Sequence, residues 1–119
     1  MSARLTRGAV VLVRLDPAVG SEIRKTRPAV VVSNDVACRL DAVLQVVPIT
    51  ALPERGLRPY EARVASLESG LDGPSRAVAN QVRTVARERI VDRLGSVTSD
   101  EMREIDLAIA IQLGLPRPA

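Results

Sequence analysis

The chain reads as mainly β with one helix (α+β): a small antiparallel barrel or strongly bent sheet, with an α-helix at its C-terminal end. Two observations predict this. Short, closely spaced aliphatic runs fill the first two-thirds of the sequence, the pattern of small all-β architectures. One helix-capping signal then opens the last strong periodic segment. The 119 residues, 46% of them apolar, suffice for one compact domain and are too few for two well-cored ones. Residues 1–119 are therefore taken as a single domain.

The runs come in order. GAVVLVRL (8–15), RPAVVVS (27–33) and AVLQVVPI (42–49) are nearly continuous aliphatic segments of strand length. Residues 34–41 form the loop of a hairpin between the second and third. EARVAS (61–66) and SRAVANQV (75–82) follow, separated by a turn-rich stretch with Gly70, Gly73 and Pro74. Segment 88–97 reads as a turn and then a short strand. Thr98 followed by Glu101 is a capping box, after which Met102, Ile105, Ala108 and Ile109 recur at helical spacing. Gly114 is placed to end that helix and Pro116 to stop its continuation. Leu107, Ile111 and Leu113 widen its apolar face. That helix is expected to cover one opening of the barrel, and a share in a dimer interface would account for the extra width.

Composition narrows the chemistry. The chain has no histidine, which excludes histidine acid–base catalysis and most catalytic zinc sites. No metal and no cofactor is expected. Trp and Phe are absent and Tyr60 is the sole aromatic residue. Cys38, the one cysteine, has no intramolecular partner and fits a reducing cytosol. No apolar stretch reaches signal-peptide or membrane-span length, so a soluble, cytoplasmic protein is expected. The formal charge of +3 is unevenly spread: residues 1–27 carry six basic groups against two acids. Positive charge gathered at one end suits phosphate, and all the basic residues but Lys25 are arginines, which match phosphate oxygens two at a time.

Antiparallel pairing of 27–33 with 42–49 would bring Arg27 close to Thr50, at the edge that segment 16–26 must also reach. Segment 16–26 is long for a hairpin connection, and long ordered loops often carry function. Ser21, Glu22, Arg24, Lys25, Arg27 and Thr50 then share one edge, an arrangement able to handle an anion. A guanidinium donates paired hydrogen bonds to phosphate, a threonine hydroxyl adds one, and Glu22 is a candidate proton acceptor. Each also has a plain reading: Arg27 as a solvated charge, Thr50 as a turn former, Glu22 as a surface partner of Arg24 or Lys25. Asn80 and Gln81 on an apolar strand are harder to explain as core residues.

The segment RGAVVLVRLDPAVGSEIRKTRPAVVVSND (7–35), followed by VVPIT (46–50), NQVRTV (80–85) and SVTSDEM (96–102), resembles the MazF/PemK toxin family in order and spacing over nearly the whole chain. The resemblance implies an SH3-like barrel with a C-terminal helix, of the CcdB/PemK type, acting as a homodimer. It implies metal-independent cleavage of single-stranded RNA, leaving 2′,3′-cyclic phosphate and 5′-hydroxyl ends, and a cognate MazE-type antitoxin as partner. The family's catalytic arginine and threonine fall on Arg27 and Thr50, and its loop pair on Ser21 and Glu22. Gln81 and Arg83 match residues lining the RNA groove. One departure stands out: RNA is commonly held by aromatic stacking, and only Tyr60 is available.

Two rival readings remain. A CcdB-type gyrase poison shares the fold but depends on a C-terminal helix end with a tryptophan, whereas this chain ends QLGLPRPA. A catalytically inactive RNA-binding barrel is the other.

Overall fold

The computed structural model describes residues 4–118. Seven strands and two α-helices are present among them. Strands β1 (Ala9–Arg14), β2 (Thr26–Val31) and β3 (Val43–Ala51) come first, with helix α1 (Asp35–Leu40) between β2 and β3. Strands β4 (Glu61–Val64), β5 (Ser75–Val78), β6 (Arg83–Ala86) and β7 (Ile90–Ser96) lead to helix α2 (Ser99–Leu113). The order across the sheet is β4-β5-β3-β2-β1-β7, all antiparallel, with β6 also paired to β3. The predicted bent antiparallel sheet with a C-terminal helix is the fold observed.

Curvature follows from how β3 is shared. Its first half, Val43–Val46, pairs with β6 and its last three residues pair with β5. Pro48, which has no N–H to donate, falls in the gap between those two partners, a position the ladder tolerates. The sheet's ends then meet through backbone packing. The 3₁₀ turn Leu67–Ser69 after β4 lies against β7. A Cβ on Gly95 would stand 2.2 Å from the Glu68 carbonyl oxygen, and one on Gly70 would stand 2.1 Å from that of Leu94. Only glycine permits so close an approach.

Two apolar clusters fill the interior. Val11, Val13, Ala29, Val31, Leu44 and Val46 belong to one. Val10, Val30, Val47, Ile49, Ile105 and Ala108 belong to the other. Alternate residues of the central strands thus feed opposite faces, as the two-residue strand period demands. Helix α2 covers the second cluster through Ile105 and Ala108. Its start is the predicted capping box: Thr98 accepts from the Glu101 amide at 3.1 Å and Glu101 accepts from the Thr98 amide at 2.9 Å. Glu101 also accepts from the amides of Ala65 and Ser66 and from the Ser66 hydroxyl, tying the helix to the end of β4. Gly114 ends α2 in the left-handed region at φ 69°.

Two expectations need correction. Residues 34–41 are not a plain loop: Asn34 caps α1 by accepting from the Ala37 amide at 2.9 Å, and the Arg87 guanidinium bonds the carbonyls of Ala37, Cys38 and Asp41 at its far end. Run 75–82 is not one strand. It stops at Val78, turns through a 3₁₀ segment (Ala79–Gln81) and resumes as β6, because the chain must step from one half of β3 to the other. At the edge of the broad apolar face of α2, Ile111 and Leu113 are 40% and 54% exposed. No helix among the described residues is long and apolar enough to cross a membrane.

Candidate active site

Ala29 pairs with Pro48 and Val30 with Val47. Carried two residues on, that register sets Arg27 opposite Thr50. Arg27 also stands opposite Val13 of β1. Residues facing each other across a ladder project from one face, so Arg27 and Thr50 continue the face that carries Val13 and Ala29. Where the apolar cluster ends, that face becomes polar.

There an open cleft of about 440 Å³ is lined by Glu22, Arg24, Arg27, Thr50 and Gln81 together with Arg55, Tyr60, Glu61, Arg76 and Asn80. A second groove of about 580 Å³ runs on from the same Arg27 and Thr50 towards Pro28, Leu71 and Pro74. Of the eight residues expected at the site, Arg27, Thr50, Glu22, Arg24 and Gln81 are brought together in this cleft. Ser21 and Lys25 are exposed on the adjoining loop, outside the cleft lining. Arg83 also lies outside it.

Loop 15–25 is held in place by side chains from the 79–83 region. The Gln81 side chain accepts from the Ile23 amide at 3.1 Å and donates to the Ser21 carbonyl at 3.2 Å. Arg83 donates to the Leu15 carbonyl at 3.1 Å. Leu15 itself bonds the Lys25 carbonyl, closing the loop at its neck. Ile23 packs against the first apolar cluster. Gln81 and Arg83 therefore act on the loop's shape, which gives the unexplained amide at 81 a partner. Within the loop, Arg24 donates to the Gly20 carbonyl and Arg27, through Nε, to the Arg24 carbonyl. Both Nη atoms of Arg27 remain without acceptors among the described residues, and Glu22 is exposed with its carboxylate unpaired among them.

The opposite wall was not foreseen. Glu61, its side chain 2% exposed, accepts from the Arg58 amide, from both Nη atoms of Arg55 and from Nη1 of Arg76. Burial is the largest influence on this carboxyl and pushes it upward. The Arg55 hydrogen bond, the Arg58 amide and the charges of Arg76 and Arg55 together outweigh burial, and hold it below the usual carboxylate value. Tyr60, the residue before Glu61, places the chain's sole aromatic ring on the same wall. No motif marks these residues. The signal for them was the unplaced arginines of segment 51–76, and it needed the β4–β5 pairing to become legible. Cys38 sits apart, buried, its thiol raised by burial and by Asp35, the state of a structural thiol.

Residues 6–113 match the family described as PemK-like, MazF-like toxin of type II toxin-antitoxin system. The chain belongs to this family. It is 38% identical to the endoribonuclease MazF9 of Mycobacterium tuberculosis over 93% of its length and 98% of that protein's. To the endoribonuclease EndoA of Bacillus subtilis it is 30% identical, over 92% and 94% respectively. Among solved structures, a mycobacterial endoribonuclease in complex with its cognate antitoxin superposes with a TM-score of 0.77 at 27% identity, covering 96% of this chain and 99% of that one. MazF of Deinococcus radiodurans superposes at 0.80, covering 96% and 100%, and at 23% identity it speaks to the toxin fold alone.

Proposed function

We propose that this PemK/MazF-family toxin is an endoribonuclease that cleaves single-stranded RNA in the cleft between loop 15–25 and the β3–β5 wall, arresting translation and growth. Membership of the family, with two endoribonuclease relatives matched over nine-tenths of both chains, supports the class of reaction. The observation that carries the location is the β2–β3 register, which sets Arg27 opposite Thr50 in one cleft with an unpaired Glu22.

Cleavage proceeds by attack of the ribose 2′-hydroxyl on the adjacent phosphorus. Glu22 accepts the hydroxyl proton. The Arg27 Nη donors, which no protein carbonyl occupies, bond the non-bridging oxygens as charge builds on the phosphorane, and the Thr50 hydroxyl adds a donor. Arginine keeps its proton throughout, so Arg27 acts by charge and geometry, and the departing 5′-oxygen takes its proton from solvent at the open rim. The products are a 2′,3′-cyclic phosphate and a 5′-hydroxyl, with no metal or cofactor required. Ser21, Arg24 and Lys25 flank the RNA on the loop side, and Gln81 and Arg83 keep that loop shaped for it. Tyr60 offers the one stacking surface.

The setting is a cytoplasmic homodimer of one toxin domain per chain, silenced by a cognate MazE-type antitoxin. A solved relative is itself held by its cognate antitoxin. The test is cleavage of a long single-stranded RNA in EDTA by the wild type, Arg27→Ala and Thr50→Ala, with product ends analysed. Discrete cuts by the wild type alone, ending in cyclic phosphate, support the reading. A folded protein that cuts none of several RNAs sinks it.

A further inference from the structure

Arg76 and Glu61 have no part in the chemistry above, yet both line its cleft. Arg76 stands directly opposite Thr50 in the β3–β5 ladder, as Arg27 does on the other side by register. One face therefore presents Arg27, Thr50 and Arg76 in a row across three neighbouring strands. At strand spacing, the two arginine backbones lie roughly 10 Å apart. Each guanidinium has its own tether. Arg27 is held by the Arg24 carbonyl on the loop side. Arg76 is held by Glu61 on β4, the strand beyond β5.

Glu61 is buried and all its acceptor capacity faces Arg55, Arg58 and Arg76, so it neither takes a substrate proton nor presents open negative charge. Two guanidinium groups on one carboxylate leave this wall net positive. Of the Arg76 donors, Nε is buried without a partner, while Nη2 is not buried and bonds nothing among the described residues. The geometry points to Arg76 as the ligand of a second RNA phosphate, next to the scissile one, with Glu61 as the positioning residue that holds its guanidinium in place. This rests on the reading of the cleft as an RNase site and gives it a second contact that fixes register along the strand.

The experiment uses the purified full chain and a set of RNA oligonucleotides carrying one cut site, each with a single phosphate replaced by a neutral methylphosphonate. One position adjacent to the scissile phosphate is expected to raise KM about tenfold, the worth of one charge-assisted contact, with the loss carried in KM rather than kcat. The same replacement should cost Arg76→Gln nothing further, because the contact is already gone. Glu61→Gln should raise KM only for RNAs that keep that phosphate charged, which a general loss of folding would not do. If Arg76→Gln fails to fold, Arg76→Lys retains the charge towards Glu61 without the planar fork, and the wild-type scan stands by itself. A wild type that cuts but shows no sensitive neighbouring phosphate overturns the inference and leaves the RNase reading intact. So does an Arg76→Gln variant with undiminished sensitivity. A wild type that cuts no RNA removes the RNase reading, and this one with it.

Discussion

The two walls of the cleft hold their charges in opposite ways. On the strand wall, Glu61 is buried and surrounded by Arg55, Arg76 and the Arg58 amide. Loop 15–25 has Glu22, exposed and unpaired among the described residues, and Arg27, tethered by Nε alone. Both walls carry glutamate and arginine, so residue type does not separate them. Burial does. A buried carboxylate must be fully hydrogen-bonded or it destabilises the fold, which makes Glu61 part of the scaffold. An exposed carboxylate carries no such demand. The difference teaches which charges the fold consumes and which it leaves for a substrate.

Substitutions test that division. Arg27→Ala should lower kcat/KM about 10³-fold, the scale of losing a preorganised donor to a developing oxyanion, while leaving unfolding free energy within about 0.5 kcal/mol. Single-turnover cleavage and urea unfolding read the two effects separately. Glu61→Ala should do the reverse in kind, destabilising by about 3 kcal/mol in urea titration. The low end of the range applies because Arg55 and Arg76 keep 36% and 20% exposure. Glu22→Gln should cost roughly 10²-fold in kcat with no measurable change in stability; an equal loss of both would erase the contrast between the walls. Gln81→Leu sits between them, removing two bonds to the loop for about 1 kcal/mol, and hydrogen exchange of the Ile23 amide should quicken.

The smallest effect is the pH dependence of stability. Glu61 and Glu101 both titrate below the usual glutamate value in the folded chain. For a lowered carboxyl the contribution is complete above the unfolded pKa, about 4.3, and is lost as pH falls through the lower folded value. Urea midpoints should thus be flat above that pH and fall in acid, and Glu61→Gln should reduce the acid slope. A slope unchanged by that substitution would place the charge dependence on Glu101 instead.

Much of this was legible in the sequence, and for identifiable reasons. Strands β1 to β3 were readable because their buried aliphatic runs are continuous, and α2 because Thr98, Glu101 and Gly114 write its two ends locally. Arg27 beside Thr50 was readable because hairpin pairing fixes which ends meet. Helix α1 was missed: six residues with Cys38 alone buried give no period to detect. The single strand read over 75–82 failed because local propensity does not know that β3 divides its partners between β5 and β6.

The sequence by itself determined the strand runs, the capped helix, the absence of histidine chemistry and the family, since each rests on residues that are neighbours in the chain or in a motif. Only the tertiary structure decided that Glu61 is buried and fully bonded while Glu22 is left exposed and unpaired among the described residues, that Gln81 and Arg83 shape a loop some sixty residues away, and that Arg76 stands across Thr50 from Arg27. Those assignments turn on burial and on ladder register between strands distant in sequence, and neither is carried by any single segment of the chain.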